Sequence, residues 1–145
     1  MSAAAFPGVL APMPEPEQAE LRGRETVLLV DDESAIRRAA ARMLVRFGYR
    51  VLTAQDGREA LGYLARQEGR IDVVVTDMVM PTMDARDLIV AVRARWPALP
   101  VLLSTGYDAG RLTQSEIAMF TGFVPKPYTP EEMLRAVRRA LDARA

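Results

Sequence analysis

The stretch TVLLVDD, residues 26–32, joins a short run of valine and leucine to two aspartates. Three later stretches repeat this arrangement: IDVVVTD at 71–77, PVLLST at 100–105 and GFVPKPY at 122–128. Each apolar run has the length and composition of a strand that is buried on both faces. Because polar side chains follow every run, the sequence predicts a site assembled along one edge of a β-sheet.

Predicted strands alternate along the chain with amphipathic stretches that predict helices. We predict strands at about 26–30, 50–54, 71–76, 100–104 and 122–125. The last helix is expected from about Pro130 to Arg144 with Thr129 as its N-cap, and the fourth, near 109–118, has the weakest pattern. Five successive strand–helix units indicate an α/β fold: a flavodoxin-like, doubly wound, five-stranded parallel sheet of order 2-1-3-4-5 with helices on both faces.

Composition limits the chemistry that such a site can use. The 145 residues include no cysteine and no histidine, so thiolate and imidazole ligands are excluded and a metal must be bound by oxygen, which favours Mg²⁺, Mn²⁺ or Ca²⁺. The formal net charge is zero, which gives no reason to expect nucleic acid or a membrane surface as partner. No apolar run has the length of a membrane span and no signal peptide is evident, so we expect a cytoplasmic protein.

Asp31, Asp32 and Asp77 end neighbouring strands of the predicted sheet. Three carboxylates in one crevice repel one another, and a divalent cation together with Lys126, the only lysine of the chain, would relieve that repulsion. Thr105 adds a hydroxyl at the end of the fourth strand. Metal, ammonium, hydroxyl and backbone amides together can bind a tetrahedral dianion such as a phosphoryl group.

Four segments together resemble the receiver domain of response regulators in two-component signal transduction. They are VLLVDDESAIR, VVVTDMVMPTMDA, PVLLSTGY and GFVPKPYTPEEML. The resemblance assigns residues 25–145 to the receiver domain and leaves 1–24, rich in Ala, Pro and Glu, as a disordered leader or linker. TDMVMP and STGY are similar to forms found in receivers of hybrid kinases, which slightly favours that type, and a single-domain receiver is the alternative.

The resemblance implies roles for the acidic residues. Asp77 corresponds to the phosphoryl acceptor and to a metal ligand. Asp32 corresponds to a direct Mg²⁺ ligand, Asp31 to a ligand that acts through water, and the backbone carbonyl of Val79 to a further protein ligand. The phosphoryl donor would be a phosphohistidine of a histidine kinase or phosphotransfer protein, or a small phosphodonor.

The resemblance also implies a switch and an output surface. Lys126 and Thr105 would contact the phosphoryl group, and Phe123 would change rotamer when Thr105 moves toward it. Since the sequence carries no recognisable DNA-binding or catalytic domain, we expect the output to be contact with an unidentified protein through the fourth helix, fifth strand and fifth helix. The residues assigned to that surface are Leu112, Phe120, Tyr128, Arg135, Arg138 and Arg139.

Three details of the loops lead to further expectations. Ala85 stands where receivers usually carry glycine, which would strain the loop if a positive φ is needed there. The Lys126–Pro127 bond is expected to be cis, because the lysine must turn back into the site. Val79 and Tyr107 flank the path of an attacking water and are expected to slow loss of the phosphoryl group.

Two other classes of protein share parts of this pattern. An aspartyl-nucleophile phosphatase or phosphotransferase is the main alternative, although the haloacid-dehalogenase family carries its nucleophile in an Asp-x-Asp motif after the first strand. A flavin carrier would have a loop rich in Ser, Thr and Gly after that strand, whereas this loop is acidic and would repel the flavin phosphate.

Overall fold

One parallel sheet organises the described part of the protein, residues 19–106 and 110–144 of a computed structural model. Its strands are β1 (Thr26–Val30), β2 (Arg50–Ala54), β3 (Val73–Asp77), β4 (Val101–Thr105) and β5 (Gly122–Pro125). They pair in parallel in the order β2-β1-β3-β4-β5. The predicted fold class and strand order are confirmed, and β1 and β3 lie side by side with their carboxyl ends at one edge.

Helices cover both faces of the sheet, as the alternating pattern predicts. They are α1 (Ser34–Arg46), α2 (Gly57–Arg66), α3 (Ala85–Arg95), α4 (Gln114–Met119) and α5 (Pro130–Ala143). Buried residues of α1 and α5 share one apolar cluster with the sheet, and those of α2 and α3 share the other. No helix of the described residues has the length and hydropathy needed to cross a bilayer.

Alternation along the strands divides the core between the two faces. Val27 and Leu29 pack toward α1 and α5, whereas Leu28 and Val30 pack toward α2 and α3. All four side chains are almost completely excluded from solvent, and burying one such side chain contributes about 1.5–3 kcal/mol. Strands buried on both faces are held rigidly, so the residues at their carboxyl ends are held rigidly as well.

Local signals set the ends of α1 and α5. Thr129 Oγ1 accepts a hydrogen bond of 3.1 Å from the Glu132 amide, and the Glu132 carboxylate accepts one of 2.7 Å from the Thr129 amide. This reciprocal capping box starts α5 at Pro130, where the sequence predicts it. Gly48, at φ 101°, ends the turn after α1 in a conformation that favours glycine.

The fourth helix begins later than predicted. The sequence suggested 109–118, but α4 occupies Gln114–Met119, and residues 107–109 lie outside the described residues. Thr113 and Glu116 form a second capping box, with bonds of 2.8 and 3.1 Å, that fixes the start. The TQSE tetrapeptide at 113–116 carries this signal, which apolar periodicity alone does not reveal.

The packed structure also begins earlier than predicted. The leader was assigned to 1–24, and residues 1–18 of it lie outside the described residues. Leu21, however, is buried, and its carbonyl accepts a hydrogen bond of 2.9 Å from the Tyr49 hydroxyl. The Gly23 amide donates to the Phe47 carbonyl at 3.1 Å. A single leucine among polar residues gives no periodic pattern, so composition could not locate this boundary.

An ion pair ties the start of β1 to α5. Arg138 donates to both Glu25 carboxylate oxygens, at 3.1 and 2.6 Å, and also reaches the Tyr49 hydroxyl at 3.2 Å. The hydrogen bond from Arg138 lowers the pKa of Glu25 from its ordinary value of 4.5 to about 2. The folded protein therefore keeps this carboxylate charged at pH values where the unfolded chain protonates it.

We expect Glu25→Gln to lower the free energy of unfolding at neutral pH by about 0.5–1 kcal/mol, since solvent screens a partly exposed pair. The contribution of the ion pair to the free energy of unfolding is complete above pH 4.5 and disappears as the pH falls toward 2. The native protein and Glu25→Gln should therefore become equally stable in acid. Urea unfolding across this range measures the difference. Glu20→Gln, at an exposed glutamate, is the matched control, and a pH-independent loss in Glu25→Gln would contradict the argument.

Candidate functional site

Three aspartates meet at the carboxyl edge of the sheet. Asp31 follows β1, Asp77 ends β3, and Asp32 lies in the loop that leads to α1. Each of the three residues has one carboxylate oxygen that lies within 4.8 Å of such an oxygen of the other two. Asp31 and Asp77 are only 4% and 8% exposed, whereas Asp32 faces solvent. The cluster is thus partly desolvated and open on one side.

Lys126 neutralises part of this charge. Its Nζ lies 2.8 Å from Asp77 Oδ1 and 3.9 Å from Asp31 Oδ2. Burial alone would lower the pKa of Lys126, but the hydrogen bond and charge of Asp77, with the charges of Asp31 and Glu33, outweigh burial and raise that pKa. The lysine therefore stays charged and acts as the cation of the cluster.

The main chain orients the two buried carboxylates. Asp77 Oδ1 accepts from the Met78 amide at 2.8 Å, and Asp31 Oδ1 accepts from the Glu33 amide at 2.9 Å. The Asp31 carbonyl accepts a bond of 2.7 Å from the Arg37 guanidinium, which ties this loop to α1. Burial, together with the nearby charge of Asp77, raises the pKa of Asp31 despite the Glu33 amide and Lys126.

The cluster suits a hard divalent cation. Three carboxylates and one ammonium leave two formal negative charges, which such a cation balances. Mg²⁺ holds oxygen ligands at about 2.0–2.1 Å, so the observed spacing requires small side-chain movements or one ligand acting through water. Val79, whose carbonyl is a candidate ligand, is 49% exposed on the loop that follows β3.

Of the other predicted site residues, Thr105 lies at the same edge, whereas Phe123 pairs with Leu103, two residues before the edge. Thr105 ends β4, and its carbonyl accepts a 2.9 Å hydrogen bond from the Lys126 amide. Phe123 on β5 is 43% exposed, with its ring centroid 6.1 Å from that of the buried Phe120. The Lys126–Pro127 bond is cis, as expected. Tyr107 lies outside the described residues.

Residues 27–138 match the family described as response regulator receiver domain. The chain belongs to this family. It is 38% identical over 125 residues to the sensor kinase CckA of Brucella abortus, covering 85% of this chain and 13% of that protein. It is 36% identical over 118 residues to the response regulator MprA of Mycolicibacterium vanbaalenii, covering 79% of this chain and 49% of that protein. The receiver domain therefore spans half or less of the length of these curated relatives.

Solved structures agree with this assignment. A response regulator receiver domain protein from Clostridium thermocellum superposes with a TM-score of 0.77 at 28% identity, covering 82% of this chain and 95% of that one. The receiver domain of the hybrid histidine kinase CckA superposes with a TM-score of 0.68 at 34% identity, covering 80% and 98%. The predicted resemblance, and with it the role in two-component signal transduction, is confirmed.

Two further side chains lie near the acidic cluster, although the sequence alone does not assign them to the site. Tyr128 is half-buried, and burial, with the charges of Asp31 and Asp77, raises its pKa to about 12. Ser104 lies next to Asp77 in the pairing of β3 with β4 and is 3% exposed. In the sequence Ser104 stands at a strand end beside Thr105, and only the strand register shows that Ser104 is the one paired with Asp77.

The predicted output surface needs correction. Leu112 and Phe120 are buried in the core cluster beneath α3 and α4, and Tyr128 packs against the α1 side of the sheet. Arg135 pairs with Glu131 and Arg138 with Glu25 and Asp142, so the basic patch is largely neutralised. Exposed groups that remain on this face include Phe123 and Arg139, which line a groove of about 280 Å³ between β5 and α5.

Backbone strain in the loop after β3 lies at Thr82 rather than at Ala85. Thr82 is the one non-glycine residue with positive φ, 69°, among the described residues. Ala85 has no positive φ, is completely buried and begins α3 after the Asp84 N-cap, so alanine is accommodated there. A β-branched residue in the left-handed region is strained by about 1–2 kcal/mol.

We expect Thr82→Gly to raise the free energy of unfolding by about 0.5–1 kcal/mol, because relief of strain exceeds the entropy that glycine adds to the unfolded chain. Thr82→Asn should also stabilise, since asparagine tolerates this conformation. Urea unfolding measures both. Thr82→Ala is the matched control, because it removes the branched side chain but keeps Cβ; a gain from Ala equal to that from Gly would contradict backbone strain as the cause.

Proposed function

We propose that this receiver domain accepts a phosphoryl group on Asp77 with the help of Mg²⁺ or Mn²⁺. The donor is a phosphohistidine of a histidine kinase or phosphotransfer protein, or a small phosphodonor. The observation that carries the proposal is the contact of 2.8 Å between the Lys126 ammonium and Asp77 Oδ1 within a cluster of three carboxylates. A buried carboxylate beside a lysine and an oxygen-lined cation position has what in-line phosphoryl transfer needs.

In this mechanism a carboxylate oxygen of Asp77 attacks phosphorus. The new bond from oxygen to phosphorus forms as the bond from phosphorus to the donor nitrogen breaks, and that nitrogen keeps the electron pair. Lys126 and the Met78 amide stabilise charge on the transferred oxygens, and Thr105 offers its hydroxyl. The cation would be held by Asp32, Asp77 and the Val79 carbonyl, and by Asp31 through water. It would neutralise the negative charge that develops on the transferred phosphoryl group.

Phosphorylation would be transmitted through β4 and β5. Thr105 moves toward the new dianion, and Phe123, now 43% exposed, turns inward toward the space that Thr105 leaves. This is a shift between two packings rather than a new shape. The receiving surface comprises α4, β5 and α5, including the groove at Phe123 and Arg139, and its partner is an unidentified protein rather than nucleic acid or membrane.

The short helix α4 suits such a surface. It has six residues and none is buried. Arg86 on α3 reaches Glu116 at 3.3 Å, so part of its attachment is a partly exposed ion pair. Elements with few buried contacts open at low free energy, which allows α4 to respond to a change at Thr105.

We expect intact mass after incubation with Mg²⁺ and acetyl phosphate to rise by one phosphoryl group. Asp77→Asn should show no gain, and a chelator should prevent the gain in the native protein. Asp87→Asn, at an exposed aspartate of α3, is the matched control and should be modified normally. A gain that persists in Asp77→Asn would overturn the assignment, and continuous release of phosphate at a high turnover rate would favour an aspartyl phosphatase instead.

We expect Mg²⁺ to stabilise the folded protein by RT ln(1 + [Mg²⁺]/Kd), so the thermal unfolding temperature should keep rising with the logarithm of the Mg²⁺ concentration after the site is filled. Asp32→Asn should raise the Kd for Mg²⁺ by about tenfold or more, since even the loss of a side chain that only supports a metal ligand costs that much affinity. Differential scanning calorimetry over a magnesium titration gives the Kd from this dependence. Asp87→Asn serves again as the control, and an unchanged Kd in Asp32→Asn would remove this residue from the ligand set.

We expect beryllium fluoride, a mimic of the phosphoryl group, to shift amide signals at 105–128 and along the start of α5. The physical reason is the route from Thr105 through β5 to the exposed Phe123. Two-dimensional amide NMR spectra recorded with and without the mimic show which residues change. Shifts confined to the loops around Asp32 and Asp77 would mean that the signal does not propagate through β5 in this receiver domain.

A further inference from the structure

Ser104 carries the one buried side-chain hydroxyl without a hydrogen-bond partner among residues 19–106 and 110–144. The side chain is 3% exposed, so solvent does not satisfy it either. Buried polar side chains in proteins are nearly all hydrogen-bonded, because leaving one unpaired destabilises the fold. A hydroxyl that is unpaired in the resting state is therefore a candidate for a bond made in another state.

The strand register locates this hydroxyl beside the phosphoryl acceptor. Ser104 on β4 pairs with Asp77 on β3 and with Val124 on β5. Val75 and Leu102, two residues earlier on their strands, pack in the cluster shared with α1 and α5. Because side chains alternate along a strand, Asp77 and Ser104 face that same side. The acceptor and the unpaired hydroxyl are thus neighbours in one row.

Lys126 crosses β4 close to this row. It follows Val124 by two residues, yet its ammonium lies 2.8 Å from Asp77 Oδ1 on the far side of β4. Its Cβ lies beside Gly106, two residues after Ser104, and neighbouring strands are about 4.8 Å apart, so the side chain must cross β4 to reach Asp77. Asp77 Oδ1, at the end of the row that contains Ser104, already accepts from Lys126 and from the Met78 amide.

We propose that Ser104 is a positioning residue for phosphoryl transfer, an inference that rests on the function proposed above. When a phosphoryl group is present, Lys126 transfers its hydrogen bond from the Asp77 carboxylate to the phosphoryl oxygens. The Asp77 oxygen that it leaves then accepts from the Ser104 hydroxyl. Ser104 makes and breaks no covalent bond; its unmet hydrogen bond in the resting state is formed in the phosphorylated state.

A purely steric role predicts something different. Serine is small, and a small residue on β4 would leave room for the lysine whether or not it carried a hydroxyl. Ser104→Ala keeps the small size and removes only the hydroxyl, so a steric role predicts no change in phosphorylation. Ser104→Thr keeps the hydroxyl and adds a methyl group, which makes it the rescue variant.

The test measures stability and affinity for the mimic in the same variants. Without metal, Ser104→Ala should raise the midpoint of urea unfolding, because the unpaired buried hydroxyl is gone. Its Mg²⁺ affinity, from calorimetric titration, should be unchanged. Its affinity for beryllium fluoride in saturating Mg²⁺ and its rate of phosphorylation by acetyl phosphate should each fall about three- to tenfold, the effect of one hydrogen bond.

In Ser104→Ala, a gain in stability together with a loss of affinity for the mimic distinguishes the proposal from a purely structural role. Ser104→Thr should retain most of the affinity for the mimic, and Ser115→Ala, which removes an exposed hydroxyl from α4, should change nothing. A Ser104→Ala protein that is phosphorylated and binds the mimic like the native protein overturns the role of Ser104 and leaves the proposed function intact. Failure of the native protein itself to be phosphorylated or to bind the mimic overturns both.

Discussion

Three carboxylates crowded at the end of a buried sheet are the constraint on which the rest of this structure depends. Asp31 and Asp77 are held out of water, and their repulsion is relieved in the resting state by Lys126, whose ammonium contacts both. Removing Lys126 would leave these crowded carboxylates without the cation that compensates them, which destabilises a partly buried cluster. The cluster is therefore charged and incompletely neutralised, which favours a divalent cation and an incoming dianion that can share the lysine.

The fold holds these charges where side chains from distant parts of the sequence can meet. Parallel strands bring the ends of β1 and β3 together, and the order β2-β1-β3-β4-β5 leaves β4 between Asp77 and Lys126. Lys126 therefore crosses β4 to reach Asp77. Its amide also donates to the Thr105 carbonyl, so the loop after β5 is tied to the end of β4. In the mechanism proposed above, a change of partner at Lys126 would reach Thr105 through this backbone contact.

Sequence patterns predicted the sheet, the strand order and the acidic cluster, because continuous apolar runs and the polar residues after them are local signals. The start of α5 at Pro130, after the N-cap Thr129, is predicted for the same reason. What could not be predicted depends on tertiary contacts. Strain was assigned to Ala85 because glycine is usual there, but the chain places the left-handed residue at Thr82. Leu112 and Phe120, which flank the six-residue helix α4, are predicted to lie on a surface but are buried, since the segments on either side of so short a helix carry no periodicity that shows which residues face the core. The relation of Ser104 to Asp77 depends on strand register, which no single segment encodes.

We propose that Lys126 compensates Asp77 in the resting state, until a cation takes over part of this compensation and an incoming phosphoryl group shares the lysine. A double-mutant cycle of Lys126→Met and Asp77→Asn, read as free energies of unfolding, tests this claim most directly. In metal-free protein we expect a favourable coupling energy of about 1–3 kcal/mol between the two side chains, and saturating Mg²⁺ should reduce it, because the cation then supplies part of the compensation. A coupling energy near zero without metal, or one that Mg²⁺ leaves unchanged, would contradict the account.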